Sequence, residues 1–182
     1  MALSITSPVL AAGVIATECD RFAAHPYDPD MKTPGVTFDD IEAGRALMSC
    51  ATAFSEQPDV LRFKYQFGHS LLAAQRPLEA MIFLRAAAYG GYAAAQQSLA
   101  TILYDEDALA DEKIEAIELF RSAAKQGHAV AQLRVASFYL RGEGGLSDLP
   151  KVEKFVRLAA DQGLPAAQVA LELIVLTVPA TN

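Results

Sequence analysis

FRSAAKQGHAVAQLRVASFYLRGEGG, residues 120–145, places an apolar helical stripe, a lone glycine, a second apolar stripe and a glycine-rich exit in one short span. Reading back one turn, Ala116, Phe120, Ala123 and Ala124 fall at steps of four, three and one, which is one face of a helix. Gly127 follows, and a glycine just past a helix can take the left-handed conformation that satisfies the last carbonyl groups and reverses the chain. A second helix is predicted from Ala129, with Ala131, Val135, Phe138 and Tyr139 on one side, ended by Gly142, Gly144 and Gly145. Pro150 then heads the next unit, where its missing amide donor costs nothing.

The unit repeats. EAMIFLRAAAYGGYAAAQ from Glu79, EAIELFRSAAKQGHAVAQ from Glu115 and KVEKFVRLAADQGLPAAQ from Lys151 follow one another at 36 positions, sharing an arginine, an alanine pair, a glycine and Ala-Gln in fixed phase. Three copies at constant period predict an all-helical solenoid of antiparallel helix pairs, spanning 77–112, 113–150 and 151–177. Upstream, residues 37–76 read as a degenerate first pair. Thr37 with Asp40 caps a helix carrying Ala43, Ala46, Leu47, Cys50, Ala51 and Phe54, and a partner helix from about Asp59 to Ala74 presents Phe63, Phe67, Leu71 and Leu72. Residues 18–36, with Pro26 and Pro29, read as an extended arm.

Composition narrows the function. The chain has 182 residues, 52% of them hydrophobic and 20% charged, which suits a folded unit with a substantial core. A formal net charge of −7 argues against nucleic acid, whose phosphates require a basic face, and against an anionic membrane surface. Residues 1–17 are apolar and end in small side chains, with Val14 and Ala16 ahead of Thr17, as an export signal does, although no Lys or Arg precedes the stretch and Pro8 interrupts it. The stretch is shorter than the ~20 apolar residues of a bilayer span, and no other segment qualifies. Localisation is accordingly read as periplasmic or secreted, with the cytoplasm as the alternative. Cys19 and Cys50 belong to no C-x-x-C pair, so zinc and redox motifs lack their spacing. In an exported chain the two can close one disulfide worth roughly 3 to 4 kcal/mol, whereas in a cytosolic one they are small buried apolar side chains.

The order F-R-S-A-A-K-Q-G, then A-V-A-Q, then Y-L-R-G-E-G, resembles the Sel-like repeat, an Ala- and Gly-rich relative of the tetratricopeptide repeat, over about residues 77–176. The resemblance implies a right-handed superhelix, and proteins similar to this act as adaptors or regulators, often in bacterial envelopes, rather than as enzymes. The segment DEDALADE departs from the pattern where a glycine-rich exit is usual. CDRFAAHPYDP resembles a segment that precedes such repeats in exported bacterial proteins, with a second cysteine at a place like Cys50, which implies a Cys19–Cys50 disulfide.

Nothing in the chain spells out catalysis. His25, His69 and His128 show no i, i+4 pairing, so no metal site and no cofactor are read from them. His128 reads as a surface or capping side chain and His69 as a satisfied structural imidazole. GEGG lacks the Lys and Ser/Thr of a phosphate loop, and the acidic linker lacks the central glycine of a calcium loop. Two surface patterns remain. Arg85, Arg121 and Arg157 recur at the repeat period and form a ladder that either grips acidic groups of a partner or belongs to the framework of the repeat. Leu173, Ile174 and Leu176 make the last helix apolar on nearly every side, where solenoids usually carry a polar cap, which suggests a homodimer or a helix tucked against its neighbours. The reading is a non-enzymatic scaffold that presents its concave face to a protein or peptide. The alternative is an accessory domain of a larger hydrolase or signalling protein.

Overall fold

The computed structural model describes residues 16–105, 107–143 and 147–177, with side chains as far as Ile174. The expected export signal thus lies almost wholly outside the described residues, as do Gly144 and Gly145. Nine α-helices and no strand occur among the described residues: α1 Glu18–Ala23, α2 Ala43–Glu56, α3 Leu61–Ala73, α4 Pro77–Tyr89, α5 Ala93–Leu103, α6 Ala110–Lys125, α7 Ala129–Arg141, α8 Leu149–Asp161 and α9 Pro165–Thr177. From α2 onward they form four pairs, and each second helix (α3, α5, α7) also packs on the first helix of the next pair. The result is an α–α superhelix.

The repeat signature explains the stacking. The alanine pairs Ala87–Ala88, Ala123–Ala124 and Ala159–Ala160 are all buried, so the helices meet without intervening bulk. The turn glycines Gly91, Gly127 and Gly163 have φ of 98°, 94° and 80°, a conformation that L side chains rarely adopt. Glutamines tie each repeat to the next: Gln126 Nε2 donates to Gln96 Oε1 and Gln162 Nε2 donates to Gln132 Oε1, both at 2.8 Å. Gln96 and Gln132 are themselves buried. The main core runs from Tyr65 and Leu71 in α3 through Leu84, Leu99 and Phe120 to Phe138 in α7.

Two local expectations change. Thr37 and Asp40 bond to each other at 2.5 Å across a 3-10 turn, Phe38–Asp40, and α2 itself begins at Ala43 without a side-chain cap. The arm is not wholly extended. Its first residues form α1, capped by Thr17, whose side chain accepts the Asp20 amide at 3.2 Å while Asp20 Oδ2 accepts the Thr17 amide at 2.7 Å. Cys19 and Ala23 bury against Ala46, Cys50, Ala53 and Phe63, so packing on α2 supplies what six residues alone cannot.

Candidate interaction site

On α4, Leu78, Ile82, Arg85 and Tyr89 follow at steps of four, three and four and share one outward face. Leu78 is 86% exposed, Ile82 67% and Tyr89 63%, which is unusual for large apolar side chains at helical spacing. The face continues on both sides. Met48 on α2 holds the phase of Ile82, since Ala46 and Ala80 are the equivalent buried positions, and Ile114 on α6 holds that of Leu78; both are exposed. The three first helices are joined by an edge contact of Phe54 on Phe83, centroids 5.3 Å apart, and by Tyr89 Oη donating to Glu115 Oε1 at 2.6 Å.

The arginine ladder borders this face. Arg85 is exposed and close enough to Tyr89 to act on its hydroxyl. Arg121 Nη1 lies 2.7 Å from Glu118 Oε1 and Arg157 Nη2 lies 2.8 Å from Glu153 Oε1, each pair on its own helix. Such pairs in contact with water are worth about 0–1 kcal/mol, so an incoming carboxylate exchanges for the glutamate at small cost. At the other end, Leu173 is exposed while Ile174 packs towards Ala136, Val152 and Val156. The side chain of Leu176 lies outside the described residues. A groove of about 970 Å³ runs between α7, α8 and α9, lined by Leu133, Leu140, Leu149, Val156, Leu173 and Ile174 among others.

The arm does what sequence reasoning did not foresee: it crosses the second helices. Asp20 is fully buried in α1, with its Oδ1 2.9 Å from Arg62 Nε and accepting Gln66 Nε2 at 2.9 Å, both on α3. Farther along, Asp28 is buried and accepts from Tyr92 Oη at the head of α5, while Tyr27 packs against the cluster of Ala129, Ala159, Ala160, Leu164 and Ala167. Burial, the largest influence, raises the Asp28 carboxyl above its ordinary pKa against the lowering effect of the Tyr92 bond. The amide of Val36 donates to Ala24 O at 2.7 Å and closes the loop.

This path gathers the three histidines. The His25 ring centroid lies 4.9 Å from that of His128 and 6.5 Å from that of His69. His128 is wholly buried and its side chain caps nothing, which corrects the surface or capping role read from sequence. Both of its ring nitrogens are without a hydrogen bond, as is Nδ1 of the buried His69, so the latter imidazole is not fully satisfied either. Burial pushes His25 down to about 4, and burial followed by repulsion from His25 pushes His69 and His128 down to about 3. His128 occupies the phase of Tyr92 and Leu164, the residue after the turn glycine, and both of those are buried. That equivalence was the available signal.

Among the described residues no group of three or more His, Cys, Asp or Glu side chains is arranged to hold a metal ion. The sulfurs of Cys19 and Cys50 stand 2.07 Å apart, at disulfide distance, and neither is a free thiol. No helix among the described residues is long and apolar enough to cross a membrane.

No family model matches the sequence, and no curated protein does. Solved structures do. A Sel1 repeat protein from Oxalobacter formigenes is 25% identical, with a TM-score of 0.59 over 70% of this chain and 98% of its own. A protective antigen present in uropathogenic Escherichia coli strains, displaying an SLR fold, is 30% identical with a TM-score of 0.61; the match covers 74% of this chain and 29% of that longer one. With a 36-residue period, a left-handed glycine and a buried alanine pair in every full repeat, the chain is a helical solenoid with the Sel-like repeat fold that these structures display.

Proposed function

We propose that this chain is a non-enzymatic adaptor of the bacterial envelope, periplasmic or secreted, which holds a protein partner on the outward face of its first helices. One observation carries the reading: Leu78, Ile82 and Tyr89, with Met48 and Ile114 beside them, form an apolar stripe across three helices that no segment among the described residues covers. Arg85, Arg121 and Arg157 give the stripe a cationic margin, so the partner segment that fits is amphipathic, with apolar side chains over α4 and carboxylates towards the ladder. The paired sulfurs of Cys19 and Cys50 support an oxidising compartment.

The test is cross-linking of the native complex followed by mass spectrometry, with Leu78→Glu/Ile82→Glu and Arg121→Glu as variants. Both apolar positions are exposed, so the melting temperature is expected to stay within about 2 °C. Cross-links to α4 should vanish in the first variant and weaken in the second. A partner retained by the double variant overturns the assignment, and unfolding of the Arg121 variant gives the ladder a framework role instead. Self-association through the C-terminal pair is the second reading, favoured by the groove of about 970 Å³ with Leu140 and Leu149 exposed at its edge. Sedimentation that finds only monomer at high concentration removes it.

A further inference from the structure

The arm is held over the second helices by a contact set that includes every histidine of the chain and a fixed root. His25, on the arm, meets His69 of α3 and His128 at the head of α7, and nitrogens of the two buried rings make no hydrogen bond. A protonated imidazole needs partners for two N–H groups and a counter-charge. The cluster supplies neither. The titratable groups in ring contact with it are Tyr27 on the arm, 6.3 Å from the His25 ring and donating its amide to His25 Nδ1, and Tyr65 of α3, stacked 5.1 Å from the His69 ring. The nearby charges are engaged elsewhere, Asp28 of the arm by Tyr92 of α5 and Arg62 of α3 by Asp20 of α1. None of these offsets the burial of the imidazoles; the charge that acts on His69 and His128 is that of His25. Protons have a route in, because a cavity of about 400 Å³ between the arm and α3, α5 and α7 is lined by His25, Phe38, His69, Gln97, Thr101 and Val130. The root of the arm is fastened separately, by the Cys19–Cys50 contact and the buried Asp20–Arg62 pair.

We propose that the arm is an acid-released strap: protonation of the His25–His69–His128 cluster lifts Pro26–Val36 off the second helices and uncovers the surface beneath, while the cysteine pair keeps α1 on α2. The uncovered surface holds His69, Tyr92, Gln97, Thr101, His128 and Val130 and lies apart from the outward face of α4, so this inference stands or falls independently of the adaptor reading. The sign follows from burial. The open arm binds protons near pH 6.5 that the docked arm refuses, so acid favours opening. With all three imidazoles released, the opening equilibrium rises by up to about a thousandfold between pH 7.5 and 5.5. Asp28 works in the opposite sense, since burial raises its pKa and the docked arm binds its proton more readily.

Hydrogen exchange of the oxidised full chain from pH 7.5 to 4.5, corrected for intrinsic exchange rates and followed alongside far-UV circular dichroism, tests this directly. Exchange over residues 25–36 is expected to accelerate at least a hundredfold by about pH 5 while α4–α7 stay protected and helicity holds. His25 lies outside every helix, so His25→Gln leaves the repeats able to fold, and it should lower the pH slope by one proton, about tenfold per unit. Arm exchange that ignores pH overturns the proposal. So does opening of arm and helices together. Zinc ions added alone at neutral pH should leave arm exchange unchanged; stoichiometric protection would make the rings ligands and sink the switch.

Discussion

Arg62 and Asp20 show how one buried pair fixes a segment whose composition says loop. Nε of Arg62 lies 2.9 Å from Asp20 Oδ1, the carboxylate is fully buried, and Thr17 and Gln66 fill its remaining acceptor positions. Truncating the cation leaves an uncompensated charge in the interior, so Arg62→Met is expected to cost about 3 kcal/mol in urea unfolding. A loss under about 1 kcal/mol would mean that the hydrogen bonds to Thr17 and Gln66 suffice. His128 behaves oppositely. Its two unpartnered nitrogens sit where the next repeat has Leu164, so His128→Leu should stabilise the chain at pH 7.5 by about 1 kcal/mol. With its folded pKa near 3, the stability tied to neutral His128 is whole above about pH 6.5 and drains as pH falls towards 3, because the unfolded chain takes the proton first. The leucine variant should therefore lose less between pH 7.5 and 5 than the parent. An unchanged pH slope would show that another group governs the acid limb. The sequence carried the burial of His128 in its phase with Tyr92 and Leu164. What it did not carry was the meeting of the three imidazoles, since His25 reaches the other two only through the path of an arm that has no periodicity to read.

At the scale of the element, α2–α9 and α1 were legible to different degrees for one reason. The former have amphipathic stripes, to which α4–α9 add turn glycines and alanine pairs at a fixed period, so their boundaries follow from local pattern. Helix α1 has six residues, far below the length at which an isolated helix holds, and only its Thr17–Asp20 capping box is local. The rest of its stability is tertiary: the sulfur pair, the Arg62 contact and burial of Ala23. Closing a loop with a sequence separation of 31 confers roughly 3 to 4 kcal/mol in the chain-entropy account. Reduction of the native protein should therefore lower its melting temperature and speed exchange in α1 and the arm ahead of α4–α7. Thiol titration under denaturing conditions should find no free thiol in protein taken from its own compartment. Two free thiols there would argue against both the bond and the envelope assignment. Thr37 was misread for a related reason, because its bond to Asp40 satisfies a capping signature while closing only a single 3-10 turn.

For the whole molecule, stability is a chain of neighbour interfaces rather than one central core, and the repeat positions decide how tightly the links are coupled. Ala123 is completely buried in the middle repeat, and the Gln126–Gln96 and Gln162–Gln132 bonds cross the interfaces on either side. A larger side chain at 123 must push helices apart and stretch those interfaces. Ala123→Leu is accordingly expected to cost about 1–3 kcal/mol from overpacking and to weaken the coupling between the halves, so that the urea transition broadens as well as shifting. Ala159→Leu makes the same local change in the last pair, where there is one fewer pair to decouple, and it should lower the midpoint with little broadening. The comparison separates two pictures that a single melting curve confuses. If both variants shift equally and keep the parental slope, the pairs unfold as one unit and the alanine phase matters only as local packing. If the slope falls in Ala123→Leu alone, the periodic small residues are what let the superhelix act as one body, holding the exposed stripe on α2, α4 and α6 in the register a partner would need.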